Sequence, residues 1–227
     1  MSFSAELREA AAPVWEAQLE HPFVRGIGDG TLPEDRFRFY VRQDYLFLID
    51  YGRLLALAAA RAPRLQWMRR FAALAESVLE TEMDLHRQYA ARWGITAEQL
   101  ETERTAPATD AYCDFLLRTA SLGDFAELVA ALLPCMWGYA EVGAHLAASP
   151  PEHEGYAEWI AVYASDDFAQ LAAWCRELTD AAAADVAGPG RLRMHNAFRA
   201  SSEHELAFLE SAWSYTGTSA PSSGTVT

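Results

Sequence analysis

Three side chains in this sequence are of the types needed for nucleophilic attack followed by proton transfer: Cys135 in "LVAALLPCMWGYAEVGAHL", Asp44 in "FRFYVRQDYLF" and Glu205 in "SSEHELAFLES". A thiolate adds readily to electron-poor carbon, and a carboxyl group held away from water can pass protons near neutral pH. Each of the three sits in apolar company. At about 100° per residue, Leu128, Leu132, Cys135, Tyr139 and Val142 share one helical stripe. Phe37, Tyr40, Asp44, Phe47 and Tyr51 form a second, and Phe198, Ser201, Glu205, Phe208 and Ala212 a third. An unpaired charge on such a stripe would cost several kcal/mol, so each acid must be paired, protonated or facing a polar cavity. If they are simply paired within the core, Arg42, Arg53 and Arg199 are the candidate partners. Taken with the thiol and the inward phenols Tyr112 and Tyr163, the acids outline instead a small polar pocket walled by aromatics. Such a pocket suits a flat heteroaromatic ligand with hydrogen-bonding edges.

The elements that must bring these residues together are helices. Apolar residues recur at three and four spacing with little β-type alternation, so the chain reads as all-α, a single-domain helical bundle over 1–216 followed by a flexible tail at 217–227. The pattern predicts a helix over roughly 4–20 that ends at Pro22, and one over about 34–60 with Pro33, Glu34 and Asp35 at its start. A third is expected over 64–93, and a short one opened by the capping box "TAEQ". Further helices cover "AYCDFLLRTAS", the cysteine-bearing segment from Gly123 and Asp124 onward, Tyr156–Ala183, and a last stretch through Trp213. Pro134 is expected to bend the turn before Cys135 and to free the carbonyl of Ala130.

Composition removes several functions. All 18 basic residues are Arg, which excludes Schiff-base lysine chemistry and a P-loop lysine. A net charge of -14 disfavours nucleic acid and anionic lipid as partners. The N-terminus lacks signal-peptide character and no apolar run is read as long enough for a membrane span, so the expected location is cytoplasmic. Cys113, Cys135 and Cys175 match no zinc spacing and are expected as free thiols, with no metal and no cofactor.

Three segments in order, "HPFVRGIGDGTLPEDRFRFYVRQDY", "ALLPCMWGYAEVG" and "SSEHELAFLESAW", resemble the TenA family, the thiaminase II or aminopyrimidine aminohydrolase enzymes of thiamin salvage. The resemblance runs from about residue 5 to 215. It implies a haem-oxygenase-like bundle, a homotetramer, and hydrolysis of 4-amino-5-aminomethyl-2-methylpyrimidine to the 5-hydroxymethyl compound, with cleavage of thiamin in many members. Carried over by motif, Cys135 is the nucleophile, Glu205 the acid serving the leaving group, and Asp44 the carboxylate holding the amino edge of the pyrimidine. Tyr139, Tyr163 and Tyr112 are substrate-binding positions, and Phe47, Phe208 and Phe23 are expected to line the pocket.

Two departures bear on this assignment. Position 47 is often a tyrosine that assists the cysteine, and here it is Phe47, with Tyr45 three-quarters of a turn away; Leu209 stands where tryptophan is common. Other readings remain. A di-iron oxidase would use inward acid and histidine pairs, and Glu82 with His86, or Glu141 with His145, share a face, but no third pair completes a set. His86 otherwise reads as a surface or core hydrogen-bonding residue. A haem or quinone-cofactor enzyme of the related PqqC type wants an axial histidine or a basic pocket. A non-catalytic pyrimidine-binding or regulatory protein would keep the pocket without turnover.

Overall fold

The structure, a computed structural model, describes residues 1–217; the expected tail lies outside them but for its first residue. Twelve α-helices and one π segment account for the regular structure, with no strand among the described residues. In chain order they are α1 (Phe3–Ala10), α2 (Ala12–Leu19), α3 (Pro22–Asp29), α4 (Glu34–Arg61), α5 (Leu65–Ser77), the π segment (Val78–Glu82) and α6 (Met83–Arg92). They continue as α7 (Ala97–Glu101), α8 (Pro107–Leu122), α9 (Phe125–Leu146), α10 (Glu154–Tyr163), α11 (Asp166–Ala184) and α12 (Gly188–Trp213).

The central element is α9, with α4, α8, α10, α11 and α12 packed around it. Its start is fixed by Asp124, whose carboxylate accepts the Glu127 N–H at 2.8 Å. It runs through Pro134 without ending, and because proline has no N–H the Ala130 carbonyl loses its usual donor one turn before Cys135. By length and composition α9 is apolar enough to cross a membrane, contrary to the sequence expectation, but 61% of that window is buried inside the bundle. A helix surrounded by other helices is apolar on every face, which explains the composition.

Several boundaries differ from the periodicity. The first expected helix breaks at Ala11, with Pro13 in the first turn of α2, and Pro22 opens α3 rather than closing what precedes it. Proline is tolerated there because the first-turn N–H has no helical partner. His21 caps α3 by accepting the Phe23 N–H at 3.2 Å, and its other ring nitrogen meets Glu210 at 3.2 Å. The expected Tyr156–Ala183 helix is two, because Ser165 accepts the Phe168 N–H at 3.2 Å and starts α11 afresh. The capping box of Thr96 and Gln99 forms as read.

The largest difference lies within the expected 64–93 helix. Over Val78–Glu82 the backbone winds wider, and the Met83 N–H reaches the carbonyl of Val78 five residues back. The bulge presses Leu79 against α4 at Gly52, where an added Cβ would meet Leu79 Cδ2 at 2.7 Å. Glycine at 52 is what leaves room for the Leu79 side chain against α4.

Candidate active site

A cavity of about 620 Å³ opens between α4, the π segment, α9, α10, α11 and α12. Asp44, Cys135 and Glu205, read from three separate helices, all line it. So do Phe47, Tyr112, Tyr139, Tyr163 and Phe208. Phe23 does not. It is fully buried on α3 behind Tyr40, ring centres 5.1 Å apart, so it supports the aromatic layer that backs the site. Periodicity places a residue on an inward face but cannot say how many layers in.

Glu205 is 5% exposed and is held by Tyr112, whose hydroxyl donates to its Oε1 at 2.7 Å and lies 2.9 Å from Ser201 Oγ. Burial pushes its carboxyl up to about 7, with the charge of Asp44 adding, against the Tyr112 hydrogen bond and the adjacent Cys135 thiol. A carboxyl at that value exchanges its proton near neutrality, as a general acid and base must. Burial likewise drives the Cys135 thiol well up, and the negative charges of Glu205, Glu82 and Asp44 push the same way while the Tyr51 hydroxyl opposes them. The sulfur therefore rests as a thiol in the free protein, and its attack requires a base beside it. Glu205 is that neighbour.

Asp44 is not paired with arginine. Arg42 bonds Glu103, Arg53 bonds Asp50 and Arg199 faces Glu203. Its partner is His86 on α6, with Nε2 2.7 Å from Asp44 Oδ2 and both residues buried. The other ring nitrogen, Nδ1, lies 2.9 Å from the Glu82 carbonyl. Both partners are acceptors, so the doubly protonated imidazolium satisfies both. Burial opposes that charge, but the hydrogen bond and charge of Asp44, with the Glu82 carbonyl, hold the His86 pKa above its ordinary value. His86 is thus the core hydrogen-bonding residue of the two readings given above.

The aromatic walls are layered. Phe47 stacks between Tyr112 and Tyr51, at 5.0 and 5.4 Å between ring centres, and leans on Phe208 at 6.1 Å. Opposite, Tyr139 and Tyr163 meet at 4.8 Å, and Tyr40 donates its hydroxyl to that of Tyr139 at 3.1 Å. Gly143, one turn beyond Tyr139, allows this: a Cβ there would come within 2.5 Å of the Tyr163 backbone. Two flat walls with acids at the edges make a slot for a planar, amino-bearing ring.

The stripe that carries Phe47 also holds a hydroxyl nearby. Tyr51, one turn along the same stripe, lines the cavity with a buried hydroxyl that has no hydrogen-bond partner. What it does face is the Cys135 sulfur, whose upward-shifted pKa it opposes. Tyr45 faces elsewhere, bonded to Arg87 and Glu101 at 3.2 Å each. Leu209 lines a separate void of about 20 Å³ shared with Tyr139 and Glu205, so it backs the site without entering the main cavity. Cys113 and Cys175 are buried outside the cavity, and burial pushes Cys175 up to about 12. Among the described residues, no group of three or more His, Cys, Asp or Glu side chains is placed to hold a metal ion. Sequence reasoning missed Glu82 as a pocket residue, although its carboxyl faces the cavity from the π segment.

Comparison with known proteins accords with this geometry. Residues 8–215 match the profile of the TENA/THI-4/PQQC family. The aminopyrimidine aminohydrolase of Halalkalibacterium halodurans is 44% identical, over 96% of this chain and 100% of its own. A TenA homologue from P. horikoshii OT3 superposes with a TM-score of 0.87 at 31% identity, covering 94% of this chain and 99% of that one. At the level of fold alone, a protein from Shewanella denitrificans with a haem-oxygenase-like fold gives a TM-score of 0.72 at 14% identity, over 92% and 91% of the two chains. With nearly its whole length matched, the chain belongs to the TENA/THI-4/PQQC family.

Proposed function

We propose that this protein is an aminopyrimidine aminohydrolase of thiamin salvage. It converts 4-amino-5-aminomethyl-2-methylpyrimidine to the 5-hydroxymethyl compound and ammonia, and cleaves thiamin to the same pyrimidine and the thiazole. The observation that carries the proposal is the meeting of Cys135, Glu205 and Asp44, from α9, α12 and α4, around one aromatic slot. The activity of relatives such as the H. halodurans aminohydrolase supports the substrate class.

The chemistry follows from the proton positions. Tyr139 and Tyr163 on one side and Phe47 and Phe208 on the other hold the pyrimidine flat, while Asp44, oriented by His86, accepts from its amino edge. Glu205, as carboxylate, takes the thiol proton as the sulfur of Cys135 bonds to the ring. The ring electrons then expel the exocyclic group, as ammonia from the ammonium form or as neutral thiazole from thiamin, and Glu205 gives up the thiol proton to the departing ammonia or to solvent. Water adds at the exocyclic carbon and gives a proton to Glu205. When the carbon–sulfur bond breaks, the ring regains aromaticity and the sulfur recovers that proton. Tyr51 steadies the sulfur while it carries negative charge, and Tyr112 fixes the Glu205 carboxyl in position.

The assembly we propose is a homotetramer in the cytoplasm. Leu65, Met68, Leu122 and Leu192 are exposed apolar side chains that an interface between copies would cover, and light scattering in solution reads the subunit number. The functional test is incubation with the aminomethyl pyrimidine and with thiamin, following ammonia and thiazole separately. Release of both is expected. Tight binding of either compound without release of product would overturn the hydrolase reading in favour of a binding protein.

A further inference from the structure

Four acidic residues line the cavity, and the mechanism above uses two; of the others, Asp167 is exposed in the first turn of α11. Asp44 is engaged by His86 at 2.7 Å and Glu205 by Tyr112 at 2.7 Å. The remaining one, Glu82, lines the same cavity from the π segment, and among the described residues no hydrogen bond or ion pair engages its side chain. Its side chain is half-buried at the cavity wall. Burial first, and then the charge of Asp44, push it up to about 7 against the opposing charge of His86. The Glu82 charge pushes the pKa values of Cys135 and Tyr163, which line the same cavity, upward.

A carboxyl left unpaired in a low-dielectric cavity is costly unless a ligand completes it. The complement of a carboxylate is a cation. The cavity of about 620 Å³ also exceeds what one pyrimidine ring with small substituents fills, leaving room beyond the exocyclic carbon. We infer that Glu82 is the specificity-determining anion of the pocket, receiving the positively charged group on the exocyclic carbon of the pyrimidine and so selecting cationic leaving groups over neutral ones. For thiamin that group is the fixed thiazolium cation, and for the aminomethyl compound it is the ammonium form. The neutral hydroxymethyl product loses this contact, which favours its release. The π winding serves the same end, because it turns an acidic residue of a surface-type sequence, "VLETE", toward the cavity. The inference rests on the hydrolase reading above.

The test compares Glu82→Gln with the unaltered protein on three compounds: thiamin, the aminomethyl pyrimidine and the hydroxymethyl pyrimidine. KM is measured for the first two, and the inhibition constant for the third. The expected result is a rise of about tenfold in KM for both cationic compounds, with kcat held within about threefold and the inhibition constant of the neutral product within about twofold. Glu82→Asp, which keeps the charge, should recover part of the cation preference. The Gln variant should melt no lower than the unaltered protein, since it removes an unpaired acid. Equal losses for neutral and cationic compounds, or no change in any of them, would overturn the inference while leaving the hydrolase reading intact. If the unaltered protein turned over neither cationic compound, the hydrolase reading would fail and this inference with it.

Discussion

The two long walls of the cavity are built in opposite ways. On the α9 and α12 side, Cys135 and Glu205 sit on regular helices, and Glu205 is tied to Tyr112, itself beside Ser201. On the α4 and π side, Asp44 and His86 form one closed pair while Glu82 and the Tyr51 hydroxyl are left without partners. The first wall has its proton carriers fixed before any ligand arrives, as bond making requires. The second holds unfilled valences that a ligand completes, as recognition requires. Changes on the first wall should therefore fall on kcat, and changes on the second chiefly on KM and stability.

The sharpest way to break this division is Glu205→Gln. Loss of a residue that serves as both acid and base should lower kcat by about 10²–10⁴-fold with little change in KM, measured as ammonia release at saturating substrate. A KM effect of similar size would erase the distinction between the walls. The same variant carries a stability signature. The Glu205 carboxyl titrates near 4.5 when exposed and at about 7 in the folded protein. Folded protein thus keeps a proton that the unfolded chain loses, and stability contributed by this group declines as pH rises from about 4.5 to about 7, then levels. Glu205→Gln should gain melting temperature relative to the unaltered protein between about pH 5 and about pH 8.

On the second wall the larger effect belongs to His86→Ala. Removing one member of a buried pair strands the other, at a cost of about 3 kcal/mol in denaturant unfolding, and KM should rise because Asp44 loses the partner that orients it. A variant of unchanged stability and KM would show that the pair is incidental. Tyr51→Phe tests the boundary between the walls. Its hydroxyl reaches across from α4 to the sulfur, so kcat should fall about tenfold or less while melting changes little. Phe47→Tyr in that background should restore part of kcat if a hydroxyl on either turn of α4 can serve Cys135.

The wall that carries Cys135 and Glu205 was also the more legible one. Cys135, Tyr139, Glu205 and Phe208 lie on uninterrupted helices, where the 100° rule holds, so reading stripes was enough to bring them to one place. The rule fails across Val78–Glu82, where one extra residue shifts everything after it and "VLETE" contains nothing but ordinary helix formers. The Asp44–His86 pair joins α4 to α6 across 42 residues, and no local pattern reports such a partner. The break at Ser165 did carry a readable signal, a serine followed by Asp166 and Asp167, which is the composition of a helix start. Phe23 was misplaced for a different reason: an inward face can serve the pocket or the layer behind it, and only packing distinguishes them.

The central claim is that the sulfur of Cys135 makes and breaks the bond to the pyrimidine. Its most direct test is thiazole release from thiamin by Cys135→Ser beside the unaltered protein, with both melting curves recorded. The account predicts that the serine variant folds normally and loses at least about 10³-fold in kcat. A folded serine variant working at close to the unaltered rate would contradict it.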